Sequence, residues 1–193
     1  CTGASVVHAG VQVYENPLPM QTVREICRRL APLRCQVELM AEGHVYADRQ
    51  AIQEVPRFLN HYYRELIPRT RMPVDLQALL QSREKPVTKV QMFFCSVQDR
   101  QQAQMLLADL GLQMVYSIAQ NLEINMPGVS KGIGLEKLAA YLNIPKGETM
   151  AIGDNLNDLQ MLQQAGYGVA MDNANPEVLP YAGYKTSSCD EDG

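Results

Sequence analysis

Long apolar runs are absent from this 193-residue chain, and none approaches the ~18 residues that a membrane span needs. Cysteine is sparse. The five cysteines, at positions 1, 27, 35, 95 and 189, are odd in number, scattered, and in no C-x-x-C arrangement, so neither a disulfide framework nor a zinc site is signalled. A reducing cytoplasm is the simplest home for them. An excess of positive charge is also missing, and the net charge of −4 leaves no electrostatic footprint for nucleic acid. Internal repeats and low-complexity segments are lacking, which excludes a solenoid. Histidine is rare: His8, His44 and His61 lie far apart and in no metal-ligand spacing, so they read as surface or hairpin residues. Cys1 is not an initiator methionine. A mature bacterial lipoprotein also begins with Cys but continues into a polar tether. Here Ala4, Val6, Val7, Val11 and Val13 lead straight into what reads as paired strands around His8-Ala9-Gly10.

What is present is a 46% hydrophobic fraction, enough for a proper core, over a length that suits one ordinary domain or two small ones. The most informative stretch is Thr149 to Leu162 (T-M-A-I-G-D-N-L-N-D-L-Q-M-L). Met150, Ala151 and Ile152 end a short buried strand, and Gly153 breaks it. Leu156, Leu159, Met161 and Leu162, with Ala165 behind them, then repeat at helical spacing up to Gly166. The unit is strand, tight turn, helix, with Asp154, Asn155, Asn157 and Asp158 crowded into the turn. Beyond the carboxyl end of a strand is where open α/β sheets bind ligands. Asp154 and Asp158 are four apart, so both carboxylates can lean toward one point. Free helix N–H groups there would welcome an anion. Two carboxylates held close repel unless a cation sits between them, and Mg²⁺, which takes one or two carboxylates plus water and phosphate, suits the position. The plainer alternative is that Asp and Asn merely cap the helix. An EF-hand is excluded, since its alternating acidic positions, central Gly and closing Glu are missing.

The segment G-D-N-L-N-D-L-Q-M over 153–161 resembles the fourth motif, GDxxNDxxM, of the haloacid dehalogenase (HAD) superfamily in the form used by Cof-type sugar-phosphate phosphatases. G-Y-G-V-A-M-D-N-A over 166–174 resembles that family's continuation, and E-I-N-M-P-G-V-S-K-G over 123–132 resembles the block carrying its third-motif lysine. Thr2-Gly3-Ala4 followed by Val13-Tyr14-Glu15 resembles a strand-turn-strand of Cof-type proteins, with Thr2 in place of the usual Asn. The resemblance implies an α/β fold: a partial Rossmann-like core, with a parallel sheet and flanking helices, plus an α+β cap with an antiparallel sheet. Residues 1–15 would be a core segment leading into the cap, 16–120 the substrate-selecting cap, and 121–193 the second half of the core.

Along the chain, Val23, Ile26, Cys27 and Leu30 place an amphipathic helix over 20–31. Residues 35–41 read as a strand, Glu42-Gly43 as a turn, and 44–47 as the hairpin partner. Residues 52–66 suggest a helix, and Leu76, Leu79 and Leu80 another. Residues 87–97 form the clearest strand, 99–110 a helix stopped by Gly111, and 112–119 and 121–126 two strands leading to the lysine block. Strand and helix alternating with hairpins indicate a separate α+β domain. The Arg/Tyr cluster from Arg57 to Arg71 reads as arginines snorkelling on a solvated helix face, with anion binding as the alternative, and Met105, Met114 and Met126 as core gap-fillers.

Lys131 opens a helix marked by Ile133, Leu135, Leu138, Ala139 and Leu142, where the helix dipole disfavours a cation by a few tenths of a kcal/mol. A tolerated surface lysine and a phosphate cradle both remain open. The resemblance assigns Lys131 to neutralising the phosphoryl oxygens and the nucleophile, Asp154 to direct metal ligation, and Asp158 to ligation through water or support. It assigns Asn157 to orienting the metal or phosphate, and Asn173 to the phosphate side. The implied reaction is Mg²⁺-dependent hydrolysis of a small phosphorylated metabolite through an aspartyl-phosphate. The implied protein is cytoplasmic, binds neither nucleic acid nor membrane, and has homodimer formation left open. The nucleophile motif, D-x-D-G-[TS] after an apolar strand, is not in the sequence, nor is the second-motif Ser/Thr. Asp190-Glu191-Asp192-Gly193 follows a polar Thr-Ser-Ser-Cys rather than a buried strand and is rejected as a substitute. The expectation is an incomplete chain, inactive alone. The alternative is a non-catalytic binding or regulatory module derived from such a phosphatase.

Overall fold

The structure is a computed structural model that describes residues 3–53 and 69–193. Thr2, His61, most of the helix expected over 52–66 and the arginine cluster up to position 68 lie outside the described residues. The chain forms two compact units, Pro17–Pro127 and Cys1–Asn16 with Gly128–Gly193.

The Pro17–Pro127 unit is built on a six-stranded sheet. Its strands are β3 (Cys35–Ala41), β4 (His44–Asp48), β5 (Met72–Val74), β6 (Lys89–Phe94), β7 (Gln113–Val115) and β8 (Asn121–Asn125), in the order β5-β4-β3-β6-β8-β7. All pairs are antiparallel except β4 with β5. Strand alternation separates the two faces. Leu39, Val90, Met92, Phe94, Leu122 and Ile124 form the apolar face and join one core with the helix Met20–Leu30. That helix contributes Met20, Val23, Ile26 and Leu30 at the three- and four-residue spacing of a single stripe. The helix Val97–Leu107 buries Ala103 and Leu107, with Ser96 as its N-cap and Gly111, at φ 63°, ending the 3-10 turn behind it. Met114 and Met126 pack against this core as expected. Met105 does not: it is 72% exposed, because its place on the helix is half a turn from the Ala103–Leu107 stripe.

The opposite face carries Gln36, Glu38, Lys89, Gln91, Asn121, Glu123 and Asn125, and all are buried. Buried charge requires a partner. Lys89 Nζ reaches Glu123 Oε2 at 2.7 Å. Arg71 clasps Glu38 with two hydrogen bonds of 2.9 Å, and Gln36 donates to the same carboxylate at 3.0 Å. The expectation of a solvated Arg71 is therefore overturned: its side chain is 7% exposed, drawn inward by a carboxylate that would otherwise lie unpaired. Strand β8, expected to belong with the lysine block, instead pairs with β6 and β7 in this sheet, and the two units divide after Pro127.

In the other unit, β1 (Ser5–His8) and β2 (Val11–Glu15) form the expected hairpin, turning at Ala9 and Gly10, both with positive φ. A three-stranded parallel sheet, ordered β11-β10-β9, follows from β9 (Met150–Gly153), β10 (Tyr167–Ala170) and β11 (Tyr184–Lys185). The strand expected over 149–152 thus forms within a parallel sheet. On one face Ala151 joins Leu162, Ala165 and Val178 in a small core. On the other, Met150 (62%), Ile152 (50%), Tyr167 (47%) and Tyr184 (57%) are exposed. His8 and His44 are exposed, as expected.

Two outcomes follow from this packing. Burial raises the Cys27 thiol to about 11 and the Cys35 thiol to about 12, whereas Cys95 and Cys189 are exposed. Peptide mapping after brief native treatment with a thiol reagent at pH 8 should find Cys95 and Cys189 labelled, with Cys27 and Cys35 reacting only in denaturant. Replacing Arg71 with Met strands the Glu38 carboxylate in the interior and should cost about 3–5 kcal/mol in urea unfolding.

Candidate active site

Strand β9 delivers the chain to Gly153, and the absence of a side chain there is a steric requirement. A Cβ at this position would lie 2.5 Å from Asp158 Cβ, so only glycine lets the turn fold back over the strand end. The turn then closes as a reciprocal capping box. Asn155 accepts at its side-chain oxygen from the turn and Asp158 accepts from the Asn155 N–H. A 3-10 turn over Leu156–Asp158 leads into the helix Leu159–Gln164. The cap reading of D-N-L-N-D is thus realised in these residues.

Asp158 is the buried centre of the turn, its side chain 4% exposed. Its Oδ2 accepts from the N–H groups of Asp154 and Asn155, each at 3.1 Å. Its Oδ1 receives the Lys131 ammonium at 2.5 Å. Lys131 is the first residue of the helix Lys131–Tyr141, where Ser130 caps by accepting from Ile133 N–H at 3.1 Å. The opposing carboxylate offsets the unfavourable position of a cation at a helix N-terminus. The two helices approach closely, since a Cβ on Gly132 would lie 2.8 Å from the Gln160 carbonyl oxygen.

Much of the expected cradle of free N–H groups at the turn is already engaged. The Asp154 and Asn155 N–H groups are taken by Asp158, and that of Leu156 by the Asn155 side chain at 2.8 Å.

Asp154 is half-buried. Its carbonyl accepts from Asn175 N–H at 2.8 Å, while its carboxylate has no hydrogen bond or ion pair among the described residues. Asn157 holds a buried side-chain oxygen with no partner. Asn173 lies on the loop after β10; its side chain is exposed and its Oδ1 accepts from Cys189 N–H at 2.9 Å. Asp172 pairs with Lys185 on the surface. Asp190 and Glu191 lie in an exposed 3-10 turn, not at a strand end.

Among the described residues no group of three or more His, Cys, Asp or Glu side chains converges as a metal cluster. The uncommitted Asp154 carboxylate and the unpartnered Asn157 oxygen are nevertheless hard donors of the kind Mg²⁺ takes, one or two from protein with water completing the shell. In kind, though not by any convergence of three such groups, these donors suit that ion. Asp158, expected as a ligand through water or a support, already accepts three hydrogen bonds from the protein. Sequence reasoning missed the Lys131–Asp158 pair, although the N-x-x-D spacing of a capping box is a signal that Asp158 turns inward.

The Gly153 contact makes a direct test of this geometry. Gly153→Ala should lower the melting temperature and raise the amide exchange of Asp154 and Asn155, since Asp158 can no longer fold over the strand end.

A family model described as haloacid dehalogenase-like hydrolase matches residues 1–193. Phosphatase YwpJ of Bacillus subtilis (strain 168) is 46% identical over 82 residues, covering 42% of this chain and 29% of YwpJ. YkrA of the same organism is 29% identical over 194 residues, covering 99% of this chain and 70% of YkrA. Among solved structures, the HAD subclass IIB sugar phosphatase BT4131 superposes with a TM-score of 0.78 over 100% of this chain and 70% of its own; at 19% identity that likeness establishes the fold. With a family match along its length, the chain belongs to the haloacid dehalogenase-like hydrolases.

Proposed function

We propose that this chain carries part of the active centre of a Mg²⁺-dependent phosphatase that hydrolyses a small phosphorylated metabolite through an aspartyl-phosphate. The observation that carries the reading is the pairing of Lys131 with buried Asp158 beside the uncommitted Asp154 carboxylate, all gathered at the end of one parallel strand. The name of the similar protein YwpJ, a phosphatase, supports it.

Lys131 has three ammonium donors. One is engaged by Asp158, and the side chain is 37% exposed, so the remaining donors can meet phosphoryl oxygens. Asp154 and Asn157 would hold the Mg²⁺. When bound, the ion would supply charge neutralisation at the phosphoryl group, which is the main requirement of phosphoryl transfer. The attacking carboxylate of this scheme, on a D-x-D-G-[TS] strand, is not found within these 193 residues. The Pro17–Pro127 unit is assigned the role of substrate-selecting cap.

The 193-residue chain alone should hydrolyse p-nitrophenyl phosphate at background, because no positioned carboxylate can form the covalent intermediate. In a longer protein that joins this segment to a D-x-D-G-[TS] strand, Asp154→Asn should lower kcat by ~10²-fold or more. Asp172→Asn and Asp190→Asn should change it by less than about threefold. Phosphate-release assays on the three variants decide the matter: equal losses at Asp154 and Asp172 would refute the assignment.

A further inference from the structure

We propose that a groove beside the helix Lys131–Tyr141 is a second ligand site, and that it takes a small apolar zwitterion of the free amino-acid kind. The site makes no use of the strand-end turn, and its test stands apart from the phosphatase reading.

The groove holds about 420 Å³, within the range of roughly 300–1,000 Å³ that small-molecule sites occupy. Leu135 and Glu136, with Ala139 and Ala140 one turn later, line it from one side of the helix. The segment returning to β9 supplies Ile144 and Lys146. These walls are fixed before any ligand arrives. Thr149, a buried lining residue, donates from Oγ1 to the Lys146 carbonyl at 2.7 Å and accepts from Gly166 N–H at 3.0 Å. A Cβ on Gly166 would collide with that same carbonyl, so the returning segment packs directly on the backbone behind the helix Leu159–Gln164. Gln164 is also in the lining, and its amide oxygen is sealed against Gly132, where a Cβ would collide with it.

The chemistry of the lining selects the ligand. Leu135, Ala139, Ala140 and Ile144 offer an apolar body a place out of water, and the two alanines are short enough to leave it room. Glu136 and Lys146 are exposed, and among the described residues neither belongs to an ion pair; Lys146 Nζ reaches only the Gln163 carbonyl, at 3.4 Å. A fatty acid in the groove would meet Glu136, and an alkylamine would meet Lys146, each as a like charge. A molecule carrying both charges on an apolar body meets each with its opposite. Exposed charge pairs are individually weak. The apolar body therefore supplies most of the affinity, and the two charges supply the selection.

The test titrates the ¹⁵N-labelled 193-residue chain with phenylalanine, phenethylamine and 3-phenylpropanoate, which share one apolar body and differ in charge. Phenylalanine should shift the amide signals of residues 135–149 and of Gln164 saturably, with a Kd on the order of 1–10 mM. The two singly charged analogues should each bind about threefold more weakly. Glu136→Gln should abolish the preference over 3-phenylpropanoate, and Lys146→Gln the preference over phenethylamine; both positions are exposed, so the fold is kept. Ala139→Met, which fills the groove, should weaken phenylalanine by about tenfold, and Ala140→Met does the same from an exposed position should the first variant disturb the helix. Three results would overturn the proposal: no saturable shift by about 50 mM phenylalanine, equal binding of all three probes, or full affinity in both methionine variants.

Discussion

A carboxylate cannot be taken out of water without compensation, and around Asp158 that constraint organises the whole strand-end turn. Its two oxygens gather a lysine from another helix and two N–H groups from its own turn. Those partners fix where the chain leaves the strand, how the 3-10 turn begins, and where the helix starting at Lys131 sits. Gly153 is required because the carboxylate lies over it, and the Asn155 cap is required because the turn must begin at that point. Remove the charge and each of these choices loses its reason. The Asp154 carboxylate is left without a partner by the same arrangement, since its neighbour has taken the local donors.

The larger sheet obeys the same rule on a wider scale. Its apolar face is conventional, but its other face buries two ion pairs and a set of amides. The ion pairs on such a face tolerate little change, because the loss of one member leaves the other without solvent. The unit therefore has a repackable side and an exacting one. Substitutions in the helix Met20–Leu30 act on the first, substitutions at Glu38 or Lys89 on the second.

The elements are mostly legible in the sequence because their periodicities are clear. The stripe Val23–Ile26–Leu30, the hairpin around Glu42-Gly43 and the strand before Gly153 are local signals, and each forms where expected. What escapes is non-local. That Arg71 lies against Glu38, or Lys131 against Asp158, depends on pairs separated by 33 and 27 residues, and no short window of sequence contains both partners. Strand β8 reads with the lysine block for the same reason: adjacency along the chain says nothing about its hydrogen-bonding partners β6 and β7. Met105 misleads through composition, since an apolar residue in a helix is assigned to the core until its angular position is counted. At the site, the motif residues are readable as a group. The difference between Asp154 and Asp158 is not, because it lies in which oxygens are already occupied.

The three-stranded parallel sheet has one more physical consequence. Parallel sheets are ordinarily covered on both faces, yet here Met150, Ile152, Tyr167 and Tyr184 line a face open to water, and the outer edge of β9 is unpaired among the described residues. Surfaces of this kind dominate colloidal behaviour. A net charge of −4 gives little mutual repulsion to oppose contact between such faces. In the 193-residue chain a flat patch of methionine, isoleucine and tyrosine therefore stands exposed beside that edge. A single lysine at position 152 would change its handling in solution more than many changes elsewhere on the surface.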